Sequence, residues 1–184
     1  MNDARQRFET RALPHLDAAY NLARWLARPP LDADDIVQDS MLRAFRAFDS
    51  FRGEDVKPWL LSIVRNCFLT AAARSGHRLE TALPADDDAV AAMGDPAMVA
   101  PEQDAETLVI HGEQGRRFSE IVESLPRDFR EVLMLREMED LSYRDIAQIT
   151  GAPIGTVMSR LARARALLKQ AWLDEPLGAS DAVR

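Results

Sequence analysis

Apolar side chains return every three or four residues along most of the chain. Phe8, Ala12, Leu16, Ala19, Leu22 and Leu26 mark a first helical stripe over residues 4–28. Pro14 interrupts this stripe and predicts a kink or a split, because proline cannot donate the N–H of an interior helical bond. Pro29-Pro30 predict its end. Asp32 is placed to cap a second helix running to about Phe48, with Ile36, Val37, Met41, Leu42 and Phe45 at its apolar positions. Ser50-Phe51-Arg52-Gly53 reads as a loop. A third helix follows from about Asp55 to Arg74, its stripe formed by Trp59, Leu60, Ile63, Val64, Cys67 and Phe68.

Residues 76–112 break the pattern. They hold Pro84, Pro96 and Pro101, the glycines Gly76, Gly94 and Gly112, and many alanines. This composition predicts a flexible tether with at most one short helix. Helical spacing resumes near Gln114, with Phe118, Ile121, Val122 and Leu125 in one stripe. Phe129, Val132, Leu133 and Leu135 form the next, beyond the break at Leu125-Pro126. No run of alternating β-branched residues predicts a strand. The expected fold class is all-α: two small helical domains joined by a flexible acidic linker.

Within the last block, Ser142 followed by Asp145 is a capping-box-like start. The helix Tyr143–Thr150 turns Ile146, Ala147 and Ile149 inward. Gly151 suits the left-handed position after a helix, and Pro153 suits the first turn of the next. On that next helix Val157, Leu161, Ala164 and Leu168 form one buried stripe. The other face shows Thr156, Ser159, Arg160 and Arg163. A short helix, a glycine turn and a helix with a polar, basic outer face make a helix-turn-helix, whose second helix enters the DNA major groove. Arg160 and Arg163 are suited to two parallel hydrogen bonds on a guanine edge. Arg165 and Lys169, later on the helix, are suited to phosphates, and Arg144 to the backbone where the first helix crosses it.

The net charge of −7 would argue against a nucleic-acid partner if it were evenly spread. It is not. Residues 79–115 carry nine acids and no lysine or arginine, whereas 153–170 carry four basic residues and no acid. Such asymmetry bears on binding more than the total does. The single cysteine, Cys67, excludes an internal disulfide and a multi-cysteine zinc site, and a reducing, cytoplasmic compartment is expected. His15, His77 and His111 are far apart. No glycine-rich phosphate loop, carboxylate pair or metal-ligand spacing is present, so neither catalysis nor a cofactor is expected. Cys67 reads as a core residue.

The segment LPRDFREVLMLREMEDLSYRDIAQITGAPIGTVMSRLARAR resembles region 4 of sigma-70 factors of the extracytoplasmic function (ECF) class. DADDIVQDSMLRAFRAFDSFRG followed by PWLLSIVRN resembles region 2 of the same class. The resemblance implies a factor that binds core RNA polymerase, directs it to promoter DNA and helps to open it, with an anti-sigma factor as a further partner and no small-molecule substrate. It implies domains at 1–78 (region 2) and 114–173 (region 4), a linker at 79–113 and a tail at 174–184. By resemblance, Asp35, Gln38, Asp39 and Arg43 dock on polymerase. Phe51, Arg52 and Gly53 form the loop that receives an unpaired base of the downstream (−10) element, bordered by Lys57, Arg65 and Asn66. Arg144, Thr156, Ser159, Arg160, Arg163 and Arg165 meet the upstream (−35) element. Met158 stands where the family commonly has lysine, Leu61-Ser62 where it often has Tyr-Arg, and Thr70 where it often has aspartate. These departures bear on promoter preference. Two alternatives were open at this level: a stand-alone helix-turn-helix regulator, which gives no reason for the DADDIVQD helix, and a sigma mimic, which typically adds a receiver domain.

Overall fold

The computed structural model describes residues 2–28, 31–75 and 105–174. The N-terminal block begins with α1 (Asn2–Ala12) and α2 (Leu16–Leu26), separated by a 3-10 turn at Leu13–His15. Pro14 does split the first stripe, as its missing N–H dictates. Next come α3 (Ala33–Ala47), a 3-10 turn at Phe48–Ser50, and α4 (Val56–Arg74). Both long helices start on an aspartate cap: Asp32 accepts from the Asp34 N–H at 2.8 Å, and Asp55 from the Lys57 N–H at 2.9 Å. Each such cap contributes about 1 kcal/mol.

Helix α4 is the axis of this block. Leu60, Leu61, Val64 and Phe68 are fully buried, with α2 and α3 packed on them. Leu61 was absent from the expected stripe, whereas Trp59 and Ile63 lie at the edge of the core rather than inside it. The reason is that α4 also packs against the C-terminal block, so it is apolar on two sides and a one-stripe reading is too narrow. Cys67 is buried as expected, and burial pushes its thiol pKa up.

The C-terminal block holds α5 (Ala105–Ser124), α6 (Arg127–Glu137), α7 (Tyr143–Thr150) and α8 (Ile154–Asp174). Helix α5 starts inside the stretch expected to be tether, so helical structure begins at Ala105 rather than near Gln114. The remaining acid-rich stretch, Pro29-Pro30 and the tail from 175 lie outside the described residues. Ser142 caps α7 by accepting from the Asp145 N–H at 3.1 Å, and its hydroxyl donates to the Asp145 carboxylate. Gly151 follows at φ +68°, in the left-handed region. Val157, Leu161 and Ala164 are buried along α8, as the periodicity predicts.

Asp140, in the link from α6 to α7, is the one described non-glycine residue with positive φ, at +50°. An L side chain in that conformation costs roughly 1 kcal/mol. Its ion pair with Arg136 is long, 3.6 Å, and almost wholly exposed on the aspartate side, so little is lost by removing it. Asp140→Gly is therefore expected to raise the thermal midpoint by a few degrees, measurable by calorimetry; an unchanged or lower midpoint contradicts this.

The two blocks close on each other. Helix α6 packs on α2, and α7 on α4. Asn21, Trp25, Met134 and Met138 line a small cleft between α2 and α6. Polar groups cross the boundary too. Arg65 Nε meets Glu131 Oε1 at 2.6 Å, Lys57 Nζ meets Glu139 Oε2 at 2.8 Å, and Arg28 donates to the Glu123 carbonyl. A flexible tether would allow the two blocks to stand apart; this structure has them packed together.

Candidate functional site

Three surfaces carry the residues singled out above. The first is the outer face of α3. Asp35, Gln38, Leu42 and Arg46 recur at spacings of three and four and are exposed, with Asp39 and Arg43 at their edge. Asp39 and Arg43 form an i, i+4 ion pair at 2.9 Å. The hydrogen bond from Arg43 holds the Asp39 carboxyl below its ordinary pKa. Leu42 is 52% exposed and Phe45 47%. Both were expected to help fill the core. Instead Ile36, Val37 and Ala44 fill it, because α3 packs on α2 and α4 through its other side; Phe45 lies at the edge, its ring edge-on to that of Phe8 at 5.3 Å. A large apolar side chain ringed by polar groups is the usual form of a protein-docking anchor.

The second surface is the loop after α3 and the start of α4. Phe51 is half-buried, its ring 4.7 Å from that of Trp59 and 6.3 Å from that of Phe48. Phe48 in turn meets Phe8 edge-on at 5.3 Å. A Cβ at Gly53 would stand 2.7 Å from the Phe51 ring, so any side chain there displaces that ring. Arg52 turns back on its own loop and donates to the Asp49 carbonyl at 2.6 Å. Arg11, which the sequence reading missed, donates to the Glu54 carbonyl at 2.7 Å and lies over the Phe51 ring. Its neighbour one turn back, Arg7, reaches Asp49 at 3.3 Å. Two arginines four apart on one face of α1 were the available signal. Asn66 is exposed, whereas Lys57 and Arg65 point across the domain boundary to Glu139 and Glu131. Burial is the larger influence on Glu131 and raises its pKa, against the pull of Arg65.

The third surface is the helix-turn-helix. Arg144 is exposed on α7. On α8 the residues expected on the outer face divide. Ser159 is only 5% exposed and donates to the Thr156 carbonyl. Arg160 is held by Asp128 of α6 at 3.0 Å, and Arg127 holds the same buried carboxylate at 2.6 Å. Arg165 meets Glu137 at 2.7 Å, and Arg163 is half-buried. Thus Arg160 ties α8 to α6. Removing it leaves Asp128 with Arg127 alone, a loss of about 2 kcal/mol. Arg160→Ala is expected to lower the thermal midpoint by about 5 °C, and Lys169→Ala, at an exposed site, to leave it unchanged. Equal midpoints for the two variants contradict a structural role for Arg160.

Fold and surfaces together define an all-helical protein of two blocks, the second built around a helix-turn-helix. Residues 13–78 match the family model described as sigma-70 region 2, and residues 115–168 the one described as sigma-70, region 4. The ECF RNA polymerase sigma-E factor of Salmonella typhimurium is 37% identical over 140 residues, covering 74% of this chain and 72% of that protein. The ECF RNA polymerase sigma factor SigE of Mycolicibacterium smegmatis is 35% identical over 156 residues, covering 84% of this chain; the chain spans 57% of that longer relative. Among solved structures, the sigma factor RpoE of Bartonella quintana, in complex with the anti-sigma factor NepR, matches with TM-score 0.66 and 28% identity over 96% of this chain and all of that one. CnrH, in complex with the cytosolic domain of CnrY, shares the fold with TM-score 0.59 and 23% identity, covering 94% and 91%. The chain belongs to the ECF class of the sigma-70 family, the factors through which RNA polymerase initiates transcription. No described helix is long and apolar enough to cross a membrane.

Proposed function

We propose that this chain brings core RNA polymerase to its promoters through the three surfaces described. The outer face of α3 docks on polymerase: Leu42 and Phe45 are the anchors, and Asp35, Gln38, Asp39 and Arg43 the polar rim. The Phe51–Gly53 loop, with Lys57, Arg65 and Asn66, meets the separated strand of the −10 element. A loop aromatic with cations beside it suits stacking on a base and contact with its phosphate. Helix α8, with Arg144, meets the −35 element. Residues 1–78 and 114–173 act as the two binding units, and the stretch after 79 tethers them. The observation that carries the docking role is the exposure of Leu42 at 52% inside a polar ring on a well-capped helix.

In the free chain, Arg65 and Lys57 are engaged by Glu131 and Glu139 of the other domain. The cations assigned to the −10 strand are thus occupied in the closed form, and docking on polymerase releases them. An anti-sigma protein is a further expected partner, supported by the NepR-bound relative. Bond-making belongs to the polymerase, and this chain contributes recognition. The direct test is to mix the purified chain with bacterial core polymerase, measure co-elution, and transcribe promoters from its own genome. Co-elution with promoter-dependent initiation supports the reading. A folded chain that does not bind polymerase contradicts it and favours a stand-alone regulator.

A further inference from the structure

Helix α8 has an open flank whose N-terminal half carries no charge. Val157, Leu161 and Ala164 face the core. At 100° per residue, Ile154, Met158 and Ala162 fall on a neighbouring flank, each one turn after the last. Ile154 is 48% exposed and Met158 43%, and Ala162 is half-exposed. This flank occupies the N-terminal half of the helix, the part that meets base edges in a helix-turn-helix. Around it the charge is basic: residues 153–170 hold no acid, and Lys169 is exposed two turns further on. An apolar strip continued on the same flank by Arg165 and Lys169 fits a groove floor with phosphates beyond its end.

Methionine offers no N–H and only a weak acceptor, so it cannot read a guanine edge. The one apolar feature in the major groove is the C5-methyl of thymine, which apolar side chains recognise. Meanwhile Arg160, a candidate for guanine, is committed to Asp128. We propose that Met158 is a specificity residue: it packs on the methyl group of one thymine in the upstream element, with Ile154 and Ala162 on either side. This rests on the reading of α8 as the upstream-element helix.

Two steps with the holoenzyme test it. Holoenzyme formed from the full chain first selects its upstream element from randomised DNA. Each thymine of that element is then replaced singly by deoxyuridine, which removes the methyl and nothing else. One position is expected at which the wild-type factor loses about fourfold in affinity, the equivalent of one buried methyl. Met158→Leu keeps that loss, whereas Met158→Ala binds thymine and deoxyuridine alike there. The side chain is exposed, and helical content checked by circular dichroism guards against misfolding. Deoxyuridine tolerated at every position, or the same loss in Met158→Ala, overturns the inference while leaving the α8 reading intact. Failure to select any upstream element overturns both.

Discussion

Glu131→Ala is expected to open the molecule. Glu131 is 2% exposed and holds Arg65, itself largely buried, across the boundary between the domains. Removing one partner of a buried pair leaves the other charge uncompensated, at a cost of about 3 kcal/mol. Arg65 escapes that cost if the domains separate and water reaches it. The population therefore shifts toward the open form by roughly two orders of magnitude, since 1.4 kcal/mol is a factor of ten. Small-angle scattering should report a larger radius of gyration for the variant. The exchanged pair Arg65→Glu with Glu131→Arg should restore compaction. A variant as compact as wild type, with the chain folded, means that the apolar contacts of α2 with α6 and α4 with α7 hold the domains unaided.

The sign of the pH effect follows from the direction of the Glu131 shift. Its folded pKa is raised by burial, so the folded chain takes up a proton at this carboxyl more readily than the unfolded one. The stabilisation this brings is full below the ordinary glutamate range and is lost as pH rises through the raised value. Glu131→Gln should flatten that slope. An unchanged slope in the variant would assign it to other carboxylates.

Leu42→Ala carries the second large effect. The residue stands on α3 among Asp35, Gln38, Asp39 and Arg43, about half exposed and outside the buried core. Its removal leaves the fold intact. If it is the central anchor of the polymerase contact, truncation costs about 2 kcal/mol or more, roughly a thirtyfold loss of affinity. Gln38→Ala with Asp39→Ala, at the rim, should cost less and act mainly on association rate. Titration of labelled core polymerase separates these outcomes. A Leu42→Ala affinity equal to wild type would falsify the anchor assignment.

Local order was readable in advance because it is set by neighbours in the chain. Asp32, Asp55 and Ser142 each cap the next helix through an N–H two or three residues away. Pro14 splits a helix for want of its own donor, and Gly151 takes the left-handed conformation its missing side chain allows. The spacing of Val157, Leu161 and Ala164 likewise announced the buried side of α8. The helix-turn-helix followed from these short-range rules.

What three-dimensional packing added depends on partners far along the chain. Glu131 finds Arg65 sixty-six residues away, and Glu139 finds Lys57 at a separation of eighty-two. No periodicity within a helix encodes such pairings. The same holds for Arg160, whose guanidinium meets Asp128 of α6. Leu42 fits an apolar pattern, yet α3 packs mainly on one side, so it faces outward, and Phe45 is left half-exposed against Phe8. Leu61 fell outside the expected stripe, yet α4 is packed on two sides, so it is buried. Spacing along a helix says which residues share a face; which faces are covered is settled by the neighbours that arrive from elsewhere in the chain.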